Sequence, residues 1–235
     1  MNNSRRGLFI TGTDTDVGKT WVSAGLMLAL KAQGKSVLGM KPIAAGAVQE
    51  AGRLRNKDAL RLQAQGTHPV DYAQLNPYVF APAMAPHLAA EQSGERITIE
   101  RIERHYVELA KQADYIVVEG AGGWLVPINE RQTMADMAAH LQLEVIIVVG
   151  LRLGCINHTL LTAEAVRTRG LRLAGWVANT LDVRMSRLPQ NILAIQQRLD
   201  APLLGVIPHL PAFSPEQIAE QLDVQPILRA PSLCF

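Results

Sequence analysis

Short runs of apolar residues alternate along the chain with segments whose apolar positions fall on one helical face. Two runs, Tyr115–Val118 and Val145–Val149, are continuous and β-branched, which is typical of strands covered on both faces of a parallel sheet. Four further strands are predicted at Gly7–Thr11, Val37–Met40, Leu171–Ala178 and Leu203–Ile207. Helices are predicted at Lys19–Ala32, Thr133–Leu141 and Ile156–Thr168. The alternation predicts an α/β fold: a doubly wound, mostly parallel sheet with helices on both faces.

The chain contains no internal repeat and no low-complexity segment, so we expect residues 1–235 to form a single domain. The least regular stretch is 66–96, which contains four prolines. The tail from Pro226 also lacks a clear pattern, and we expect 226–235 to be loosely ordered.

Composition narrows the class of protein. Of 235 residues, 48% are hydrophobic and 19% are charged, which is typical of a globular protein with a sizeable core. The net charge of +2 gives no reason to expect a nucleic-acid or membrane partner. We expect neither a secretion signal nor a membrane-spanning segment. Cys155 and Cys234 lack metal-ligand spacing and cannot build a disulfide framework, so a reduced, cytoplasmic enzyme is expected.

A phosphate-binding loop is the strongest chemical signal. Residues Gly12–Thr20 read G-T-D-T-D-V-G-K-T, follow a predicted strand and open a predicted helix, as a P-loop requires. Backbone N–H groups of such a turn bind phosphate oxygens. Lys19 adds charge at the β- and γ-phosphates, and the Thr20 hydroxyl can ligate Mg²⁺. The usual spacing of the motif has glycine at the position of Thr13, so this sequence departs from the motif at its start. The fold is therefore predicted to be P-loop NTPase-like.

Three other charged residues stand near predicted strand ends or helix starts. Glu119 follows the strand Tyr115–Val118 and precedes Gly-Ala-Gly-Gly, which predicts a carboxylate that binds metal or orients water. Asp58, taken alone, is typical of a helix cap. Lys41 follows a strand on the rim that the P-loop occupies, but a lone lysine there is more typical of a solvated charge.

Together these motifs resemble the dethiobiotin synthetase family. G-T-D-T-x-V-G-K-T and the later G-C-I-N-H are specific motifs, and the resemblance spans most of the chain. The segments that carry it are Gly12–Thr20, Lys41–Gly46, Arg55–Leu60, Glu119–Trp124, Gly154–His158, Gly175–Asn179 and Ile207–Leu210. The resemblance implies ATP-dependent ring closure of 7,8-diaminopelargonic acid with CO₂. One amine takes up CO₂ as a carbamate, ATP phosphorylates it, and the second amine closes the ring.

The resemblance also implies site residues. Mg²⁺ would be held by Thr20, Asp58 and Glu119, while Lys19 and Lys41 would be catalytic, stabilising the carbamate and the transferring phosphoryl group. ATP, the co-substrate, would contact Thr15, Asp16, Val17, Gly18, Lys19, Thr20, Trp21, Asp58, Glu119, Gly120, Ala121, Gly122, Asn179, Pro208, His209, Leu210 and Glu216. The diamine would contact Lys41, Ala45, Gly154, Cys155, Ile156 and Asn157.

Two positions depart from the family pattern. Ala45 stands where some members have a serine that hydrogen-bonds the substrate, and His209 stands where a tryptophan or tyrosine often occurs. We therefore expect weaker substrate binding at the first position and altered base stacking at the second.

A homodimer is also implied, in which Gly154–His158 reaches the partner's active site. This loop precedes a predicted helix, whose unpaired N–H groups suit the substrate's carboxylate tail. The residues alone favour a plain glycine turn instead.

Two other functions compete with this interpretation. An amidase-type synthetase of the cobyrinic-acid class usually carries a glutaminase domain with a catalytic cysteine, for which this chain has no room. A partition or assembly ATPase switch of the same superfamily has an additional lysine early in the P-loop, where this chain has Thr13 and Asp14.

Overall fold

The computed structural model describes residues 6–229. In chain order its strands are β1 (Arg6–Gly12), β2 (Val37–Met40), β3 (Ile43–Ala44), β4 (Val48–Glu50), β5 (Arg53–Arg55), β6 (Tyr78–Val79), β7 (Tyr115–Gly123), β8 (Glu144–Leu151), β9 (Leu173–Thr180) and β10 (Leu203–Ile207). Its helices are α1 (Lys19–Ala32), α2 (Lys57–Gln65), α3 (Tyr72–Leu75), α4 (Pro86–Gln92), α5 (Ile99–Ala110), α6 (Met134–His140), α7 (Cys155–Thr168), α8 (Leu188–Gln196), α9 (Pro215–Glu220) and α10 (Gln225–Leu228).

A six-stranded sheet forms the centre of the fold, in the order β10-β9-β8-β1-β7-β2. All of its strand pairs are parallel. Because parallel strands end at the same edge, the carboxyl ends of β1, β2 and β7 lie together. Two small pairs, β3 with β6 and β4 with β5, lie outside this sheet.

Helices cover both faces of the sheet, as successive residues of β1 illustrate. Leu8 and Ile10 belong to one buried cluster, which α1, α9 and α10 complete. Phe9 belongs to the other, which α5, α6, α7 and α8 complete. This alternation follows from the two-residue period of a strand. The predicted doubly wound α/β architecture is confirmed.

The predicted strands and helices are all present, with shifts at some ends. β7 runs on to Gly123, so Glu119 lies inside this strand and does not follow it. β9 begins at Leu173 rather than Leu171, and α7 begins at Cys155 rather than Ile156. The six central strands are the apolar runs that the pattern singled out, because burial on both faces demands continuous apolar sequence. Helix α5 was not predicted, although Ile99, Ile102 and Leu109 are its buried positions.

Two stretches expected to be irregular contain regular structure. Residues 66–96 include α3, β6 and α4, each short, and prolines stand at or beside their ends. The expected loose tail begins inside the short helix α10, which tolerates Pro226 in its first turn. Residues 230–235 of that tail lie outside the described range. Within residues 6–229, no helix is long and apolar enough to cross a membrane.

Candidate active site

The loop between β1 and α1 folds tightly around its own lysine. Lys19 Nζ donates a hydrogen bond to the carbonyl oxygen of Asp14 at 3.0 Å. Gly18 has φ +92°, and a Cβ there would lie 2.2 Å from Nδ2 of Asn179. Gly12 is equally confined, since a Cβ would lie 2.8 Å from the Asp14 carbonyl oxygen. The loop therefore has the curled backbone that presents N–H groups to an anion.

Burial sets the charge state of Lys19. Its side chain is buried, and desolvation together with the charge of the nearby Lys41 lowers the pKa of Lys19 to about 8. The carboxylates of Glu119, Asp16 and Asp58 oppose this shift. A phosphate group bound beside this ammonium would add a negative charge that raises the pKa of Lys19 and favours its charged form.

Glu119 is the hub of a buried polar cluster. Its Oε1 accepts from the Thr20 hydroxyl at 2.8 Å and from Lys41 Nζ at 2.5 Å. Lys41 also lies 3.5 Å from Asp58 Oδ2 and donates to the Gly120 carbonyl oxygen at 3.3 Å. The P-loop, the end of β2, the interior of β7 and the start of α2 thus converge on one point.

The interpretations of Lys41 and Asp58 as isolated residues were wrong. Lys41 is 5% exposed rather than solvated. Burial alone would lower the pKa of Lys41, but Glu119 and Asp58 outweigh that cost and the pKa is raised. The cap of α2 is Asn56, whose side chain accepts from the backbone N–H groups of Asp58 and Ala59. Asp58 is consequently free to turn its carboxylate toward Lys41.

The oxygen atoms of this cluster fit a magnesium ion. Glu119 Oε2 is buried and has no hydrogen-bond partner among the described residues, so an acceptor is left open. The Thr20 hydroxyl and the Asp58 carboxylate supply hard oxygen donors beside it. Residues 6–229 hold no group of three or more His, Cys, Asp or Glu suited to a metal. Two carboxylates are nevertheless sufficient for Mg²⁺, which keeps several waters and binds phosphate as well.

A cavity of about 830 Å³ opens beside this cluster. Many of the residues expected to bind ligand lie on its wall. They are Thr15, Asp16, Gly18, Lys19, Thr20, Trp21, Lys41, Ala45, Asp58, Glu119, Ala121 and Gly122.

Some expected ATP-binding residues lie away from this wall. Asn179, at the end of β9, donates to the Val17 carbonyl oxygen at 2.8 Å and so braces the P-loop. Pro208, His209 and Leu210 follow β10 at the same edge of the sheet, and Pro208 and His209 are exposed. The described wall also leaves out Val17, Gly120 and Glu216. Val17 is fully buried in the apolar core, and Glu216 is an exposed residue of α9.

The Gly154 loop is likewise absent from the described wall of the cavity. Gly154 has φ +94°, Asn157 is exposed, Ile156 is partly buried, and Cys155 is buried. Arg152, just before this loop, forms an ion pair with Asp14 of the P-loop. The two loops are thus neighbours, although the second does not line the cavity.

Sequence reasoning missed several residues of this cavity wall, of which two, Asn56 and Arg61, are polar. Asn56 is 7% exposed, caps α2 and donates to the Ala45 carbonyl oxygen at 3.2 Å, so it positions both Asp58 and the Ala45 segment. An asparagine just before a helical segment is the usual signal of an N-cap and could have revealed it. Arg61 also lines the cavity, and no sequence motif marks it.

Comparison with known proteins assigns the family. A family model described as "AAA domain" matches residues 6–217. An ATP-dependent dethiobiotin synthetase BioD of Cellvibrio japonicus is 50% identical over 97% of this chain and 100% of its own length. The protein of that name from Pseudomonas aeruginosa PAO1 is 49% identical over 93% of this chain and 96% of its own. The chain belongs to the dethiobiotin synthetases.

Solved structures place this dethiobiotin synthetase on a shared fold. The septum site-determining protein MinD with Mg-ADP, from Pyrococcus horikoshii, aligns with TM-score 0.54 and 19% identity over 96% of this chain and 90% of its own. A ParA family ATPase from Chlorobium tepidum aligns with TM-score 0.54 and 15% identity, covering 93% and 92%. These likenesses concern the fold alone. The roughly threefold higher identity to the synthetases disfavours a partition or assembly switch.

Proposed function

We propose that the chain converts 7,8-diaminopelargonic acid, CO₂ and ATP into dethiobiotin, ADP and phosphate in biotin biosynthesis. The observation that carries the proposal is the buried Lys41, held by Glu119 on the wall that also presents Lys19. Two ammonium groups facing one cavity suit a reaction that brings two anions together. Membership of the dethiobiotin synthetases supplies the substrate.

ATP binds, in this proposal, with its phosphates in the curled loop and its base toward the ends of β9 and β10. Residues Asp16–Thr20 supply backbone N–H groups and the Lys19 charge, and the α1 dipole adds to both. Asn179, Pro208–Leu210 and Glu216 stand at the base end. Thr20, Asp58 and Glu119 would hold Mg²⁺, which would neutralise charge on the bound phosphates.

The chemistry needs no nucleophilic side chain, because the substrate supplies both amines. One amine adds to CO₂ and loses a proton, giving a carbamate. A carbamate oxygen attacks the γ-phosphorus, and the bond to the bridging oxygen breaks with departure of ADP. The second amine then attacks the carbamoyl carbon, phosphate leaves, and that amine loses its extra proton as the ring closes.

Electrostatics decides where the two lysines act. Two unit negative charges about 4 Å apart repel by about 4 kcal/mol at an effective dielectric constant of about 20. Carbamate and γ-phosphate meet at such a distance, so their repulsion is a main part of the barrier. The ammonium groups of Lys41 and Lys19 offset this repulsion. Lys41 is already held in position by Glu119 and Asp58, and Lys19 by the loop, so neither side chain has to reorganise during the reaction.

We also propose that the enzyme is a cytoplasmic homodimer in which Gly154–Asn157 binds the carboxylate tail of the partner's substrate. Two features support this. α7 begins behind Gly154 without a side-chain cap from any described residue. The Cys155 N–H donates to the Arg152 carbonyl oxygen at 3.0 Å, but the N–H groups of Ile156 and Asn157 have no partner among the described residues and are open to an anion. Leu153 is 98% exposed and Leu161 on α7 is 57% exposed, as expected of side chains that a second subunit covers.

A turnover assay tests the reaction. Purified protein with Mg-ATP should release ADP only when the diamine and bicarbonate are both present, and dethiobiotin should appear in equal amount. Steady ATP hydrolysis without the diamine, and no dethiobiotin with it, would favour the partition-type switch instead.

Mixed dimers test the shared site. Lys19→Ala protein and protein with Gly154→Trp should each be inactive. Mixing them should restore partial activity, because one of the two sites then has both parts intact. An active monomer in sedimentation, or no recovery from demonstrated mixed dimers, would remove the dimer proposal and leave the reaction untouched.

A further inference from the structure

Arg61 places a positive charge on the cavity wall, and no sequence motif marks this residue. It lies one turn after Asp58 on α2, and its Nη1 is 4.0 Å from Asp58 Oδ1. Its side chain is 21% exposed and lies on the wall that Lys19 and Thr20 also form. Holding a long, flexible side chain in one position costs rotamer entropy, so a favourable contact must compensate for that cost.

An aromatic pair provides that support. The Arg61 guanidinium carbon lies 4.3 Å from the centre of the Phe213 ring. Phe213 in turn meets Trp21 edge-on, with ring centres 5.6 Å apart and planes at 77°. Trp21 is the residue after Thr20 and lines the same cavity. Residues of α1, α2 and the segment between β10 and α9 therefore fix one guanidinium at the wall.

The charges around this guanidinium leave it available to an anion. Asp58, its carboxylate neighbour, lies closer to Lys41, at 3.5 Å against 4.0 Å to Arg61. A planar guanidinium that lies over a ring keeps its N–H donors in its own plane, where two of them can donate to two oxygens of a phosphate. The nucleotide phosphates are the anions that this cavity is proposed to hold.

We propose that Arg61 binds the phosphate chain of ATP from the α2 side of the cavity, with Phe213 as its positioning residue. Lys19 approaches the same chain from the P-loop. This inference rests on ATP being the nucleotide of the cavity. A purely structural clamp between α2 and the Phe213 segment is the alternative, and it would stabilise the fold without touching ligand.

Binding of ATP and adenosine to the Arg61→Ala protein separates the two roles. Calorimetric titration with Mg-ATP, without the diamine, should show about tenfold weaker binding, which corresponds to about 1.4 kcal/mol. Adenosine, which carries no phosphate, should bind as it does to the unaltered protein. Phe213→Leu keeps the Arg61 charge but removes the aromatic ring that holds it, so this change should weaken Mg-ATP binding by a smaller factor, about threefold.

Arg101 supplies a matched control, since its guanidinium carbon lies 4.4 Å from the centre of the Tyr78 ring. It is absent from the described cavity wall, so Arg101→Ala should lower Tm without changing Mg-ATP affinity. Unchanged Mg-ATP affinity in Arg61→Ala would overturn the inference, as would an equal loss for adenosine and Mg-ATP. An unaltered protein that fails to bind Mg-ATP would instead overturn the proposed function.

Discussion

Helices α1 and α7 begin in the same way and differ in what surrounds them. Each has 14 residues, each follows a glycine with positive φ, +92° at Gly18 and +94° at Gly154, and neither receives a side-chain cap from any described residue. Both therefore present unpaired N–H groups and the positive end of a helix dipole.

Their surroundings separate them. The start of α1 lies in the cavity with Lys19 and Thr20 buried beside Glu119 and Lys41. The start of α7 is open, next to the fully exposed Leu153. A helix N-terminus therefore supplies hydrogen-bond donors, but these donors alone do not make a binding site. Charged side chains, oxygen donors and cavity walls surround the start of α1, whereas the start of α7 would gain such walls only in the proposed dimer.

The largest expected effect belongs to the charge at α1. Lys19→Ala should lower kcat/KM by about 100- to 1,000-fold, the usual loss when one stabilising donor is removed. Its side chain lines the cavity and belongs to neither apolar cluster, so the circular dichroism spectrum should be unchanged. Steady-state turnover and the spectrum together check this. Unaltered rates with a normal spectrum would contradict the P-loop role of Lys19.

The two glycines give a direct comparison between the helices. Alanine at either position should cost about 1–2 kcal/mol of stability, because both have positive φ. Only Gly18→Ala also forces Asn179 away, since its Cβ would meet Nδ2 at 2.2 Å. At Gly154 the nearest atom lies 3.9 Å away. Mg-ATP binding should therefore fall at least about tenfold in Gly18→Ala, by more than 1.4 kcal/mol, and stay unchanged in Gly154→Ala.

Thermal unfolding of the same two proteins supplies the control for this pair. Gly154→Ala should lose a few degrees in Tm without losing Mg-ATP affinity. If both proteins lose affinity equally, the two helix ends serve the same ligand and the contrast drawn here is wrong.

A smaller effect is expected at the exposed start of α7. Asn157→Ala should raise KM for the diamine by roughly three- to tenfold, as for one hydrogen bond to a charged group shared with backbone donors. The KM for ATP should not move, because Asn157 lies away from the described cavity wall. A change in the ATP constant alone would assign this loop to the nucleotide.

The smallest effect is expected at Ala45 on the cavity wall. Ala45→Ser adds a hydroxyl to a cavity-lining position, and a neutral hydrogen bond contributes about 0.5–1.5 kcal/mol. The KM for the diamine should therefore improve about two- to tenfold while kcat changes little. An unchanged KM would mean that the Asn56 side chain or a water already makes that contact.

How well the sequence predicts each part depends on how local its cause is. The central strands and the P-loop follow from contiguous patterns, apolar runs and a glycine-lysine-threonine turn, and both were predictable. Lys41 and Asp58 were misjudged as isolated residues because the cause of their placement is distant: Lys41 and Glu119 are 78 positions apart. Only the family resemblance joined them.

The contact between Arg61 and Phe213 was beyond prediction for the same reason. It depends on how the segment after β10 returns over α2, and no local pattern encodes that path. Helix α5 is a different case. Its apolar positions Ile99, Ile102 and Leu109 recur with helical spacing, so the signal was present and was not used.

The place of β1 in the sheet bears on how the chain is made. Leu8 pairs with Val117 on one side and with Glu144 on the other, so β1 is completed by strands that are translated much later. At roughly 5–20 residues per second, translation leaves this apolar strand without its neighbours for several seconds or longer. Closing such long loops is also slow for a free chain. Nascent protein should therefore depend on chaperones until β8 has emerged, and a chain that stalls before Glu144 should aggregate.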